Sequence, residues 1–214
     1  MKSSGGLKEG NVVIGNFYNK YASSNPLIKG IMNNFLRNLG SIVEDVSPDT
    51  IHEIGCGEGF ITLRFKAQGR DARGSDFSEQ VIRIARENAI ELGVSPDIFS
   101  IKSIYDLTPQ HDKADLIVCC EVLEHLKDPV SALQVLREIA TDYVILSVPR
   151  EPLWRFLNMM RGKYVIRMGN TPGHIQHWST SSFIDLVKPF FIIEKVFTPL
   201  PWIMLLCKKT VHNS

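Results

Sequence analysis

Seven short runs rich in β-branched and apolar residues alternate with helical patterns along this chain, and that alternation constrains the fold more than any other feature. The runs fall at 50–54, 71–75, 98–102, 115–120, 143–148, 190–197 and 202–208, with helix-period segments at 59–68, 78–92, 129–140 and 180–187. Strands separated by helices form βαβ units around a parallel sheet. The last two runs have no helix between them, only a turn around Thr198, Pro199 and Pro201, so they are expected to pair antiparallel at the sheet edge. The expectation is an α/β fold: a three-layer α/β/α sandwich on a mostly parallel seven-stranded sheet with the last strand antiparallel. Ahead of it, apolar residues at Leu27, Ile28, Ile31, Phe35 and Leu39 mark an amphipathic helix over 17–39, with Pro26 suited to a first turn. Residues 1–16, polar and Gly/Ser-rich, are expected to form a flexible tail, leaving one domain over 17–214. The segment 150–173 is too long for a simple connection and reads as a lid-like insertion over the carboxyl edge of the sheet.

The first run ends in Glu53-Ile54-Gly55-Cys56-Gly57-Glu58-Gly59 before a helix begins. Three closely spaced glycines let the backbone turn tightly beneath a ligand, although an ordinary strand-to-helix turn also uses glycine. A dinucleotide loop requires a third glycine at position 60, which is Phe60. Glu53 and Glu58 place negative charge around the loop, which repels a pyrophosphate and suits the cationic amino and sulfonium groups of S-adenosylmethionine. At the end of the second run, Asp76 is placed to accept hydrogen bonds from both ribose hydroxyls, or else serves as an acidic group at the helix start beside Ser78. Phe77 either lies against adenine or is a core aromatic.

Four segments carry a resemblance to the class I S-adenosylmethionine-dependent methyltransferases, small-molecule branch, typified by ubiquinone and menaquinone biosynthesis methyltransferases. They are the glycine loop, Gly74-Ser75-Asp76-Phe77-Ser78, Ser103-Ile104-Tyr105-Asp106-Leu107, and the stretch from Ala114 to Leu126 that ends Cys119-Cys120-Glu121-Val122-Leu123-Glu124-His125-Leu126. The resemblance implies a Rossmann-like fold and methyl transfer from S-adenosylmethionine, with S-adenosylhomocysteine as product. It implies that Gly55, Cys56, Gly57 and Gly59 contact the methionine half, that Glu53 orients its amino group, that Asp76 takes the ribose, and that Phe77, Ser103 and Ile104 surround adenine. Related sequences often have Asp where this chain has Ser103, which keeps the acceptor and loses the charge. Cys120 and Glu121 are expected beside the methionyl group.

Methyl transfer from a sulfonium needs alignment and exclusion of water above all, and a general base only when the acceptor is protonated and weakly acidic. The candidate bases are His125, His174 and His177, each of which also has a structural reading as a loop anchor, while His52 sits inside the first run and reads as structural. In the insertion, residues 154–168 combine Arg155, Arg161, Lys163 and Arg167 with large apolar groups and no acid. Such a segment can cover an apolar or anionic substrate, lie on a membrane surface, or simply pack on the domain. Tyr18 and Tyr21 are candidates for the opposite pocket wall, or for the core.

The 214 residues carry a formal net charge of +1, too little for a global field that draws a protein onto nucleic acid, and no Asn/Asp-Pro-Pro-Tyr-type motif follows the fourth run. The four cysteines have no partners at metal-binding spacing, so no metal is expected from them. With no signal-peptide pattern and no apolar run long enough to span a bilayer, a cytoplasmic location follows. The partner expected is a small-molecule methyl acceptor, possible peripheral membrane contact included, and its identity and acceptor atom are not written in the sequence. The other reading is a noncatalytic protein of the same fold that binds the cofactor without turning it over.

Overall fold

The computed structural model describes residues 1–6, 8–9, 12–13, 15, 25–160, 170–171 and 173–210. Two short strands, β1 (Lys8–Glu9) and β2 (Val12–Val13), pair antiparallel, and α1 (Pro26–Val46) follows. Then come β3 (Thr50–Ile54), α2 (Phe60–Ala67), β4 (Asp71–Asp76), α3 (Glu79–Glu91), β5 (Phe99–Ile101), β6 (Ala114–Cys120), α4 (Pro129–Ile139) and β7 (Ala140–Pro149). The chain continues through α5 (Leu153–Met160), α6 (Thr180–Val187), β8 (Phe191–Phe197) and β9 (Trp202–Lys209). The main sheet runs β5-β4-β3-β6-β7-β9-β8, parallel except for β9, which is antiparallel to both β7 and β8. The expected α/β sandwich is borne out in its strands, its order of helices and its antiparallel end.

Successive residues of a strand face opposite sides of a sheet, and here both sides are buried. Leu116, Val118 and Cys120 of β6 face Met32, Phe35, Leu39, Ile42 and Val43 of α1 together with Ile61 and Phe65 of α2. Ile117 and Cys119, between them, face Leu133, Leu136 and Ile139 of α4 and Phe183 of α6. Each fully buried side chain of this kind contributes about 1.5–3 kcal/mol. That double burial explains why β6 reads as an unbroken apolar run.

Helix α1 differs from its expected extent. It begins at Pro26 under an Asn25 cap that accepts from the Leu27 N–H, and it continues one further stretch to Val46, where Ser47 ends it in a left-handed conformation. Ile42 and Val43 extend its apolar face beyond Leu39, a continuation that the periodicity allowed. Tyr18 and Tyr21 lie outside the described residues.

Two residues of the expected tail, Lys2 and Ser4, are hydrogen-bonded to distant parts of the chain. The Lys2 backbone N–H donates to Asn88 Oδ1 at 2.6 Å, Asn88 Nδ2 donates to the Lys2 carbonyl at 3.1 Å, and Ser4 is buried against Glu58. Polar residues without periodicity gave no sign of this packing, because it is carried by hydrogen bonds to distant partners.

The insertion is pinned at both ends. The Arg150 N–H donates to the Pro201 carbonyl at 3.0 Å and the Glu151 N–H to the Trp178 carbonyl at 2.9 Å, and α5 stands between. Among the described residues no helix is long and apolar enough to cross a membrane. The strand order turns back between β3 and β6, so the carboxyl ends of these two neighbours open a crevice, the position where α/β sheets bind ligands.

Candidate active site

The crevice is built on the turn from β3 into α2. Gly55, Gly57 and Gly59 all have positive φ, at 73°, 55° and 79°. The three are not equivalent. A Cβ at Gly55 would lie 2.3 Å from Val122 Cγ2 and one at Gly59 2.4 Å from Phe99 Cζ, whereas at Gly57 it would meet nothing within 4 Å. Gly55 and Gly59 are therefore required by the protein's own packing, and Gly57 presents bare backbone to open space. The Gly55 and Cys56 N–H groups are tied to the Ser75 carbonyl at 2.8 and 3.0 Å, which fixes the loop to the end of β4.

Asp76 is 9% exposed and spans this junction, with Oδ2 accepting from the Gly57 N–H at 3.1 Å and Oδ1 from the Ser78 N–H at 3.0 Å. Burial pushes its carboxyl above the usual range, backbone hydrogen bonds from Ser78 and Gly57 pull it down, and the neighbouring Glu58 charge pushes it up again. A buried carboxylate aimed along an open glycine backbone fits the ribose of the expected cofactor. Phe77 is 51% exposed, so it is not a core aromatic and its ring is free to cover an adenine. Ser103 caps the short turn that begins at Ile104, accepting from the Tyr105 N–H at 3.4 Å, and Ile104 is buried.

Glu53 is buried and its Oε2 accepts from the backbone N–H of Thr62, at 2.8 Å, and from the Thr62 hydroxyl. One of its oxygens is thus occupied in anchoring α2, a role the sequence did not suggest. Cys56 and Cys120 are buried, and burial pushes the Cys56 thiol up, with the Glu53 charge adding to it. Glu121, just past β6, takes φ 61°; its N–H donates to the Ser147 carbonyl at 2.9 Å, and Oε1 accepts from the Ser147 hydroxyl at 3.4 Å.

Beyond Glu121 the chain makes a short turn, and here two of the three candidate bases meet. His125 and His174 stand edge to face with ring centroids 4.9 Å apart. One ligand-type atom from each of Glu124, His125 and His174 lies within 4.8 Å of the others. Glu124 is 1% exposed. Its backbone carbonyl accepts from the N–H groups of Ile175 and Gln176 at 2.9 and 3.1 Å, which brings the segment holding His174 to the turn holding His125. His125 Nδ1 lies 2.9 Å from the Gly173 carbonyl, which can only accept, so in the neutral ring the lone pair is on Nε2. On the other side of His174, Trp154 of α5 stacks with centroids 6.1 Å apart and an interplanar angle of 23°. One carboxylate and two imidazoles can pass a proton or hold a divalent cation.

His177 is not brought into this group. Its Nδ1 lies 3.5 Å from Glu151 Oε1 at the base of the insertion. His52 is buried, bridging the Asp112 carbonyl and the Ser75 hydroxyl at 3.1 Å each. Burial pushes it down to about 4, as a structural histidine requires. Cysteine spacing carries no sign of the Glu124–His125–His174 group. His174 is distant in the chain from the adjacent Glu124 and His125, and no local spacing joins it to them.

A Rossmann-type sheet with a glycine loop at its switch point and an acidic residue closing the next strand defines a nucleotide-cofactor-binding α/β protein. Residues 46–182 match the model of the methyltransferase domain family, and the chain belongs to that family. The resemblance drawn from the four sequence segments is thereby borne out. The chain is similar to ubiquinone biosynthesis O-methyltransferases: 26% identical over 136 residues to that of Nitrosomonas europaea, covering 62% of this chain and 58% of the relative. With that of Cupriavidus pinatubonensis it shares 26% over 174 residues, covering 75% and 69%. The chain thus spans little more than half the length of the first of these relatives. In fold it is similar to magnesium protoporphyrin IX methyltransferase of Synechocystis with bound S-adenosylhomocysteine, with TM-score 0.67, 18% identity, and 89% and 91% of the two chains covered.

Proposed function

We propose that this chain transfers the methyl group of S-adenosylmethionine to a hydroxyl oxygen of a small organic acceptor, releasing S-adenosylhomocysteine. The observation that carries this reading is the convergence of Glu124 and His125, in the turn just after β6, with His174. A hydroxyl is a weak nucleophile until it loses its proton, and this group supplies what that step needs. The names of the relatives, O-methyltransferases, support an oxygen acceptor.

Bound S-adenosylmethionine supplies an already activated methyl carbon, so the protein's work lies in holding and orienting. Gly57, open on its Cα side, admits the methionine half, and Gly55, Cys56 and Gly59 shape the turn beneath it. Cys120 and Glu121 flank the same end. Asp76 exchanges its Gly57 and Ser78 hydrogen bonds in part for the ribose hydroxyls, and Phe77, Ser103 and Ile104 enclose the adenine. His125 takes the hydroxyl proton on Nε2 with Nδ1–H anchored on Gly173, while Glu124 offsets the resulting positive charge. A divalent cation held by the same three side chains would acidify the hydroxyl by a different route, and chelation separates the two. His177 stands apart at the base of the insertion, against Glu151, and is not assigned a part in the transfer.

The acceptor carries an apolar part. Phe156, Met159 and Met160 of α5 are 57%, 43% and 70% exposed, beside the Trp154 that stacks on His174. Lipid-linked acceptors and peripheral membrane contact through 154–168 fit such a helix, in a protein that works in the cytoplasm; residues 161–168 lie outside the described residues.

The test is methyl transfer from labelled S-adenosylmethionine to a panel of phenols, catechols, amines and thiols, with and without chelator. Product on hydroxyl oxygen, lost in His125→Ala, supports the reading. Transfer only to nitrogen, carbon or sulfur overturns the acceptor class. Cofactor binding with no transfer to any acceptor would favour the noncatalytic alternative.

A further inference from the structure

The N-terminal residues and Glu58 make a second polar assembly on the outer side of the glycine loop. Glu58, 3% exposed, lies between Gly57 and Gly59. Its Oε1 accepts from both the backbone N–H of Ser4 at 2.9 Å and the Ser4 hydroxyl at 2.7 Å. Ser4 is itself 6% exposed. Asn88 of α3, fully buried, donates through Nδ2 to the Glu58 carbonyl at 3.0 Å and to the Lys2 carbonyl at 3.1 Å. Lys2 Nζ completes the attachment through Glu87 and Glu91 at 2.9 and 3.5 Å. Gly15 closes the far side: a Cβ there would lie 2.6 Å from Ser4 Oγ and 2.7 Å from Glu58 Oε1, so only a glycine passes this close.

A carboxylate taken out of water needs compensation, and among the described residues Ser4, near the start of the chain, donates to it twice. Its field reaches the cofactor crevice, where it acts on Asp76 and Cys56. Low-dielectric surroundings make such a field effective over several ångströms. S-adenosylmethionine and S-adenosylhomocysteine have nearly the same shape and differ by the sulfonium charge. A fixed negative charge at the loop separates them; shape complementarity does not.

We propose that Glu58, locked in place by Ser4, is a positioning residue that sets the preference of the crevice for the cationic cofactor over its neutral product. The inference rests on the reading of the crevice as an S-adenosylmethionine site. In that role the N-terminal residues are part of the site: they hold the charge that favours loading and lets the spent sulfide leave.

The experiment is calorimetric titration of the full chain, wild type and Glu58→Gln, with S-adenosylmethionine and S-adenosylhomocysteine separately. The isosteric Gln keeps an acceptor for Ser4 and removes the charge. The expected result is about a ten-fold loss of affinity for S-adenosylmethionine with that for S-adenosylhomocysteine changed by less than about two-fold. Ser4→Ala, which keeps the charge and the backbone hydrogen bond, is expected to shift the ratio the same way by about two- to three-fold, and covers the case in which Glu58→Gln does not fold. Equal weakening of both ligands would mean that Glu58 only shapes the loop, and an unchanged ratio in the folded variants overturns the proposal. If the wild type binds neither ligand, the cofactor reading itself has failed and this inference falls with it.

Discussion

Gly57→Leu separates a glycine kept for a ligand from one kept for packing. At φ 55° any L-residue pays the left-handed penalty, about 1–2 kcal/mol, but the side chain enters open space and displaces no protein atom. Gly59→Ala, at φ 79°, carries the same penalty and adds a clash with Phe99 at 2.4 Å, an overpacking term of about 1–3 kcal/mol. For a chain of this length each kcal/mol moves the melting temperature by about 2–4 °C. Gly57→Leu should therefore melt only a few degrees below wild type, and Gly59→Ala, with a side chain three carbons smaller, should melt lower still. Binding should run the other way. The leucine fills the volume assigned to the methionine half, and S-adenosylmethionine affinity falls by at least about a hundred-fold. Thermal melting by circular dichroism with parallel calorimetric titration reads both quantities. A Gly57→Leu protein that binds S-adenosylmethionine as wild type does, or that melts below Gly59→Ala, would refute the assignment of this loop.

Asp76→Asn retains one acceptor for the Gly57 and Ser78 N–H groups but loses the charge, and should weaken S-adenosylmethionine binding by about 1.5–3 kcal/mol in the same titration; unchanged affinity would remove Asp76 from the ribose site. His125→Ala should lower kcat by about 10²–10⁴ while leaving S-adenosylhomocysteine affinity intact, and a fall in cofactor affinity alone would reassign it to loop anchoring. His52 titrates at about 4 in the fold against an ordinary 6.5, so above pH 6.5 it costs nothing. As pH falls from 6.5 toward 4 the unfolded chain takes the proton first and about 3 kcal/mol of stability is lost. His52→Gln should flatten that part of the denaturation profile, and parallel pH slopes for the two proteins would show that His52 does not carry it.

Much of this architecture was legible because its determinants are local and periodic. The continuous apolar run at β6 and the Ser78 start signal placed β6 and α3 within a residue, whereas β7 reaches back to Ala140 and α1 runs on to Val46, beyond the limits their patterns suggested. The glycine loop was equally plain as a motif, although sequence could not say that Gly55 and Gly59 serve packing while Gly57 faces open space; that depends on Val122 and Phe99, which are distant in the chain. The same limit hid Glu124. Its neighbour His125 was visible as a candidate, but the pairing with His174 rather than His177 follows from Ile175 and Gln176 hydrogen bonding to the Glu124 carbonyl, a tertiary contact with no periodic trace. The contact of Ser4 is hidden for a related reason: a polar start with no apolar stripe carries no local sign of its partner, the Glu58 carboxylate.

The pinning of Arg150 to Pro201 and of Glu151 to Trp178 makes the insertion an exchangeable cassette. Its two ends meet at a parallel bridge between Arg150 and Trp178, so whatever lies between them closes on the same seam. Lengthening a loop whose ends are already joined adds little entropy cost, so the length of chain between these two residues is weakly constrained. Of the Glu124–His125–His174 group, only His174 lies within the span between the clamps, and it is the member that also touches α5 through Trp154. A lineage that replaced the cassette would keep the methyl donor's seat and renegotiate a single imidazole, so divergence in acceptor can proceed one segment at a time.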